Sequence, residues 1–88
     1  MTVEEAFGLT LQGLRKARKM SQEGLGFESG YHRTYISQLE RGQKSPSLKT
    51  VFQLAAALRA SPAEIVSSVE RILSRSGQPP EPFDGCDS

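Results

Sequence analysis

Residues 21–42 read SQEGLGFESGYHRTYISQLERG, and the fold of the chain can be worked out from this stretch. Ser21 is a typical helix N-cap, because its hydroxyl can accept a hydrogen bond from a backbone N–H of the first turn. Gly30 ends this first helix, since glycine adopts the left-handed conformation that closes a helix at little cost. A second helix is predicted from about 32 to 41, and Gly42 stops it. The stretch therefore predicts two short helices joined by a tight turn.

The second of these helices has an apolar side and a polar side. Its inward positions are Tyr31, Ile36 and Leu39, at helical spacing. Two short helices, the second with a polar outer face, are the elements of a helix-turn-helix, here at 21–41. The outward positions of the second helix are His32, Arg33, Thr34, Ser37 and Gln38.

One helix is predicted before the motif, at about 4–19. Gly8 and Gly13 are expected to weaken it by about 1 kcal/mol each relative to alanine. Cations in its last turn suit the negative end of the helix dipole. Its apolar stripe consists of Phe7, Leu11 and Leu14, and its terminal cations are Lys16, Arg18 and Lys19.

Two helices are predicted after the motif. Ser47 caps the first, which extends to about Leu58 with a broad apolar face. The segment 61–64, Ser-Pro-Ala-Glu, fits a capping box with proline at the first helical position, and the last helix extends to about Ser74. No segment alternates like a strand, so the fold class is all-α with five helices. The apolar positions are Leu48, Val51, Phe52, Leu54, Ala55 and Leu58 in the fourth helix and Ile65, Val66, Val69, Ile72 and Leu73 in the fifth.

The 88 residues suffice for one domain. We predict that it covers 1–75 and that 76–88 is a flexible, acidic, proline-rich tail without helical periodicity. Cys86 is the single cysteine, so no intramolecular disulfide can form. The N-terminus lacks the cations of a secretory signal, and no apolar run approaches about 18 residues. We therefore expect a cytoplasmic protein without a membrane span.

Positive charge is concentrated in one part of the chain. The whole chain has a formal net charge of +1, whereas 14–49 contains eight Lys and Arg against three Glu, a net charge of +5. Nucleic-acid binding draws much of its affinity from phosphate neutralisation, so the local excess matters more than the total. Charge alone leaves two interpretations open, a nucleic-acid surface and a solvated basic face.

Segments on both sides of the motif extend the pattern. Leu14-Arg15 precedes it, and the run Pro-Ser-Leu-Lys-Thr follows it at 46–50. Together with 21–42, these segments resemble the Cro/repressor family, also called the xenobiotic-response-element-type helix-turn-helix family. The likeness covers about 7–69, and the run His-Arg-Thr-Tyr-Ile-Ser at 32–37 is similar to controller proteins of restriction–modification systems. The resemblance implies a phage-repressor-like DNA-binding domain of five helices, which precedes the C-terminal tail that its composition predicts to be disordered.

The resemblance implies that the outward face of the second motif helix reaches base edges in the major groove. The residue types suit that role. Arg33 can bond guanine bidentately, Gln38 can do the same for adenine, and the methyl group of Thr34 can meet a thymine methyl. His32 and Ser37 flank these three residues and complete the candidate base contacts.

The resemblance also implies contacts with the DNA backbone. Gln22 corresponds to a residue that holds a phosphate where the first motif helix begins. The other candidates are Tyr35, Arg41, Gln43 and Lys44. Two alternatives stay open: Arg41 and Lys44 are ordinary surface charges, and Tyr35 packs partly against the domain.

The resemblance assigns Arg15 and Glu40 to structure. In the family, an Arg late in the first helix pairs with the Glu near the end of the recognition helix. Losing one partner of such a pair strands a charge, at a cost of about 3–5 kcal/mol if the pair is buried. Neither residue is therefore a predicted DNA contact.

Two departures from the family pattern lie in the first motif helix. Gly26 stands where alanine is usual, and a small side chain there permits close helix approach. With Gly24 two residues earlier, it predicts a loose helix. Ser29 replaces a common apolar residue and is expected to remove a little of the core.

The sequence predicts a sequence-specific transcriptional regulator that binds double-stranded DNA, as a homodimer on a palindromic operator. The small core cannot easily bury the whole apolar stripe of the fifth helix beyond Ile65. We therefore predict that this stripe forms the dimer interface. Alternatively, the fifth helix folds back fully and the protein is a monomer. The predicted interface residues are Val66, Val69, Ile72 and Leu73.

The rival class is a protein-interaction module, such as an antitoxin or a coactivator, that uses the same fold to grip another protein. The acidic tail suits such a role. An enzyme is not predicted, because the chain has a single histidine, His32, and neither a metal cluster nor a glycine-rich phosphate loop. We expect no metal, no cofactor and no small-molecule ligand.

Overall fold

The computed structural model describes residues 1–77, and the chain forms five helices within this range. No strand occurs within these residues, so the predicted all-α class is confirmed. None of the described helices combines the length and apolar character that crossing a membrane requires. The helices are α1 (Val3–Ala17), α2 (Gln22–Ser29), α3 (Arg33–Glu40), α4 (Leu48–Leu58) and α5 (Pro62–Arg75).

The predicted tail lies almost entirely outside the described residues, as does Cys86. Only its first two residues, Ser76 and Gly77, are described. Ser76 is the C-cap of α5, and its hydroxyl donates to the carbonyl of Leu73 at 2.8 Å. The last described helix, α5, therefore ends at this cap.

Hydroxyl side chains begin four of the helices. The Ser21 hydroxyl accepts from the Gly24 backbone N–H at 2.8 Å, and Ser47 caps α4 in the same way. The capping box predicted at α5 is present. A second capping box at α1 was not predicted: Thr2 and Glu5 accept from each other's backbone N–H groups. These caps satisfy N–H groups that have no partner within the helix.

The helix α1 ends two residues earlier than predicted. Lys19 has a positive φ of 57°, and its N–H donates to Lys16 O. The Met20 N–H donates to Arg15 O at 3.0 Å, which completes a Schellman-type end. The expectation that Arg18 and Lys19 belong to the last turn is therefore wrong. Both lie in the turn that redirects the chain toward α2.

The core lies between the motif helices and the three helices around them. α1 packs against α3 and α5, α2 against α3 and α4, and α4 against α5. Ile65 is the buried residue of α5 and completes this core. The buried apolar side chains are Ala6, Phe7, Leu11, Leu25, Ile36, Leu39, Val51, Leu54, Ala55, Leu58 and Ile65.

Two members of the predicted apolar face of α4 are exposed. Leu48 is 72% exposed and Phe52 is 56% exposed, four residues apart on one side of the helix. The inward side is already filled by Val51, Leu54 and Leu58. An apolar stripe wider than the groove it enters leaves its edge in water. The apolar face predicted for α4 is therefore only partly buried.

Two glycines allow backbones to approach closely. A Cβ added to Gly8 would lie 2.4 Å from Glu40 O, and one added to Gly26 would lie 2.5 Å from Tyr31 O. No atom lies within 4 Å of a Cβ added to Gly13. The sequence interpretation of Gly8 as a weak point of α1 therefore missed its packing role. Gly8 lets α1 touch the end of α3.

Ser29 keeps its place in the interior by bonding to the backbone. It is buried, and its hydroxyl donates to Leu25 O at 2.7 Å. A polar group in the core costs little when it is hydrogen-bonded. The apolar contact expected at this position is replaced by a satisfied hydroxyl.

Candidate nucleic-acid interface

A polar cleft lies between the N-terminus of α2 and the exposed side of α3. Its volume is about 640 Å³. Three arginines line it, Arg15, Arg33 and Arg41. The cleft also receives the beginning of α2, where backbone N–H groups give a helix its positive end. The other lining residues are Ser21, Gln22, Glu23, Thr34 and Ser37.

The candidate base contacts lie on one side of α3. Arg33 and Thr34 are exposed, and Ser37 and Gln38 are half-buried farther along the helix. Of these four residues, all except Gln38 line the cleft. The face is therefore polar and accessible from the first turn of α3 onward.

His32 has a structural task that the sequence did not reveal. It is the N-cap of α3, and its Nδ1 accepts a hydrogen bond from the Thr34 backbone N–H at 3.0 Å. Histidine is not among the preferred N-cap residues, so nothing in the sequence pattern indicated this role. The imidazole is exposed beside the candidate base contacts.

Arg15 and Glu40 form a bidentate ion pair between α1 and α3. The Arg15 Nε lies 2.6 Å from Glu40 Oε2, and Arg15 Nη2 donates to Oε1 at 3.1 Å. A third bond joins Arg15 Nη1 to the Met20 carbonyl at 2.8 Å. The hydrogen bond with Glu40 raises the pKa of Arg15 above its ordinary value. Both residues are buried, as their structural assignment requires.

Gln22 extends this ion pair to the start of α2. Its Nε2 donates to Glu40 Oε1 at 3.0 Å. Glu40 therefore accepts from α1 and α2 at once while being part of α3. The sequence placed Gln22 at the DNA backbone but did not indicate this bond. The side chain predicted to meet a phosphate is oriented by the same carboxylate that fixes Arg15.

A polar network joins the turn of the motif to α4. The Tyr31 hydroxyl bonds to Thr50 Oγ1 at 3.0 Å and to the Gln53 side-chain oxygen. The Tyr35 ring lies 5.1 Å from that of Tyr31, with the ring planes tilted by 48°. Tyr35 is half-buried and packs against the core cluster. Tyr35 therefore packs partly against the domain, and its contact with the DNA backbone stays a prediction.

The remaining backbone-contact candidates lie after α3. Arg41, Gln43 and Lys44 are all exposed. Gly42 between them has a positive φ of 73°, and the Gln43 N–H donates to Gln38 O at 2.9 Å. Of these three residues only Arg41 lines the cleft. Gln43 and Lys44 extend the polar surface into the loop beyond it.

The predicted dimer residues differ in exposure. Val66 is 57% exposed, whereas Val69, Ile72 and Leu73 are half-buried. Val69 also packs against the core. The apolar stripe of α5 is therefore partly used by the domain and partly open to water.

Arg18 is a structural residue that sequence reasoning missed. Its Nε donates to Leu58 O at 2.8 Å and its Nη2 to Arg59 O at 3.1 Å. These carbonyls lie at the C-terminus of α4, where a cation is favourable. The contact spans 40 residues of sequence, so no local pattern could have indicated it.

Comparison with known proteins identifies the family to which the chain belongs. A model of the helix-turn-helix family matches residues 11–65, more than half of the chain. The chain belongs to the helix-turn-helix family. The resemblance drawn from the motif at 21–41 is therefore confirmed.

Relatives within the family narrow the class further. Control protein C.SmaI from Serratia marcescens is 35% identical, over 88% of this chain and 83% of its own length. The restriction-modification controller protein C.AhdI from Aeromonas hydrophila is 44% identical with a TM-score of 0.69, over 70% of this chain and 94% of its own. The clp gene regulator ClgR from Corynebacterium glutamicum is 26% identical with a TM-score of 0.84, over 88% and 82%. The chain is a DNA-binding transcriptional regulator, and its relatives are regulators rather than enzymes.

Proposed function

We propose that the chain binds a two-fold symmetric operator as a homodimer, with α3 in the major groove and the start of α2 on the DNA backbone. The observation that carries this proposal is the cleft in which Arg33, Thr34 and Ser37 face the N-terminus of α2. An α-helix with its side chains is about 10–12 Å in diameter, which suits a major groove about 12 Å wide.

In this arrangement α2 contacts the DNA backbone and α3 contacts the bases. The N–H groups at the start of α2 and the Gln22 amide face phosphates, which position the protein without reading sequence. Arg33, Thr34 and Gln38 face base edges and carry the sequence preference. His32 and Ser37 flank them, and Tyr35, Arg41, Gln43 and Lys44 lie at the groove walls. The binding is without a metal, cofactor or membrane surface, and it takes place in the cytoplasm.

The dimer supplies the second half-site. One recognition helix reads only a few base pairs, so family geometry pairs two helices about 34–36 Å apart, one turn of DNA. Val66 provides exposed apolar surface for this contact, with Ile72 and Leu73 beside it. Leu48 and Phe52 of α4 add to the exposed apolar surface of the monomer. Apolar surface left open in this way usually marks an interface.

Selection of bound sites from random duplex DNA tests this proposal. We expect the parent chain to enrich a palindrome with half-sites about one helical turn apart. Arg33→Ala should relax the preference at particular positions of each half-site, at a cost of about 1–3 kcal/mol. Lys44→Ala should weaken all sequences about equally and lower the log–log salt slope by about 0.9.

Arg75→Ala is the matched control, because it removes the same charge from α5, outside the cleft. An unchanged consensus with Arg33→Ala would show that α3 does not read the bases through this residue. Enrichment of no sequence by the parent chain would favour the protein-interaction alternative.

A further inference from the structure

A second cleft lies on a different part of the molecule, between the end of α1, the end of α4 and the first half of α5. Its volume is about 490 Å³. It shares no lining residue with the cleft beside α3. Three arginines line it, Arg18, Arg59 and Arg71. The DNA-binding role assigns no task to this concentration of positive charge.

Within residues 1–77, no carboxylate oxygen lies within 4.0 Å of a guanidinium nitrogen of these three arginines. One carboxylate, that of Glu64, lines the cleft, and it accepts from the Ser61 backbone N–H at 2.9 Å as part of the capping box. Unpaired guanidinium groups gathered in a concave site attract an anion more strongly than the same groups spread over a convex surface.

Two of the guanidinium groups are held by hydrogen bonds. Arg18 is anchored to the Leu58 and Arg59 carbonyls, and Arg71 Nη2 donates to Ser68 Oγ at 3.0 Å. Anchoring lowers the conformational entropy that a ligand must remove on binding. Planar guanidinium groups match the geometry of phosphate oxygens, and each can donate two parallel hydrogen bonds.

The rest of the cleft suits an organic group. Leu14, Ala60 and Ala63 give it an apolar lining, and the hydroxyls of Ser67 and Ser68 lie beside the arginines. Small-molecule sites typically enclose about 300–1,000 Å³. The cleft lies within this range and is far larger than inorganic phosphate needs.

We propose that this cleft binds a small phosphorylated organic molecule, with its phosphates on Arg18, Arg59 and Arg71 and its organic part against Leu14 and the two alanines. This site is independent of the operator proposal, because none of its residues is a predicted DNA contact. It revises the expectation from sequence that no small-molecule ligand binds.

Calorimetric titration of the full chain with inorganic pyrophosphate, adenosine triphosphate and adenosine tests the site. We expect pyrophosphate and adenosine triphosphate to bind saturably, with the nucleotide binding more tightly. Adenosine, which has no phosphate, should not bind. Arg59→Gln combined with Arg71→Gln should weaken binding by at least about tenfold, since each removes charge-assisted hydrogen bonds. Both side chains are exposed, so the variant is expected to fold. Arg75→Gln, the same change on α5 outside the cleft, should bind as the parent does.

Two further measurements distinguish a small-molecule site from a contact with DNA phosphates. Arg33→Gln with Arg41→Gln removes charge from the DNA cleft and should leave nucleotide binding unchanged, whereas the Arg59/Arg71 variant should keep the operator affinity of the parent. The proposal is overturned if neither phosphate binds saturably, or if the DNA-cleft variant loses as much affinity as the Arg59/Arg71 variant. A loss of operator affinity in the Arg59/Arg71 variant would also overturn it, by making these residues DNA-backbone contacts.

Discussion

The helix-turn-helix segment and α5 differ in the kind of surface that they expose to solvent. Between residues 21 and 42, Leu25, Ile36 and Leu39 are buried and the polar groups of α3 face outward, whereas Phe27 of α2 is 86% exposed. In α5, Ile65 is buried, whereas Val66 lies in water and three more apolar residues are half-buried. The first segment therefore exposes a polar surface held from behind, and the second exposes an apolar surface that the domain only partly uses.

This difference separates two kinds of recognition. A polar face reads DNA only if its side chains are held in register, and the Arg15–Glu40–Gln22 network holds α1, α2 and α3 together at that face. An apolar face needs less precise placement, because burial of apolar surface is not directional. The contrast predicts that the first segment depends on a few exact contacts and that α5 depends on area.

The largest expected effect is at the ion pair. Glu40→Ala should lower the free energy of unfolding by about 3–5 kcal/mol, because it leaves the Arg15 guanidinium buried without its partner. Urea unfolding of the two proteins measures the difference. Glu23→Ala removes an exposed carboxylate from α2 and should change stability by less than about 0.5 kcal/mol.

A double replacement sharpens the same comparison. Arg15→Met with Glu40→Leu removes both charges and should cost far less than Glu40→Ala alone. If the single change at Glu40 costs under about 1 kcal/mol, the ion pair does not hold the motif and the contrast with α5 fails.

The next effect concerns α5. Val66→Glu places a charge on the most exposed apolar residue of α5 and should weaken dimerisation by about 2 kcal/mol or more, about thirtyfold. Sedimentation at micromolar concentration should show a dimer for the parent and a monomer for the variant. Val66 is a better probe than Val69, which also packs against the core.

Ser74→Glu adds the same charge to an exposed position on α5 outside the apolar stripe and should still dimerise. A parent chain that sediments as a monomer contradicts the dimer, and a dimeric Val66→Glu variant moves the interface elsewhere.

The smallest effect distinguishes two glycines of α1. Gly8→Ala should lower the free energy of unfolding by a net amount of about 1 kcal/mol, because overpacking against Glu40 O outweighs the better helix propensity of alanine. Gly13→Ala, with open space around it, should raise stability by about 0.5–1 kcal/mol. Thermal unfolding of both variants checks the opposite signs, and a gain at both positions would show that α1 and α3 can separate without cost.

Much of the fold was predictable because its signals are local. A cap such as Ser21 acts on an N–H three residues away, and Gly30 closes α2 through its own φ of 84°. Both effects depend on neighbours in sequence, so a pattern reveals them. The start of α5 was predictable for the same reason, since its capping box and its proline lie within four residues.

The structural features that the sequence did not indicate share a different cause. Leu48 and Phe52 follow the same helical spacing as the buried residues of α4, and only the shape of the groove leaves them in water. The bond from Gln22 to Glu40 and the contact of Arg18 with α4 join residues 18 and 40 positions apart. Spacing along the chain carries no information about such pairs.

For this protein, the five helices, the caps at Ser21, Ser47 and Ser61 and the polar face of α3 follow from the sequence alone, because hydrogen bonding and apolar periodicity act over a few residues. Tertiary structure alone decided which apolar residues stay exposed, that Glu40 ties Gln22 to Arg15, and that three distant arginines line one cleft. These outcomes depend on how helices approach one another, and that approach is set by packing over the whole core. Gly8 illustrates both cases. The sequence shows that α1 contains a glycine at this position, but only the tertiary structure shows that this glycine lets α1 pack closely against the end of α3.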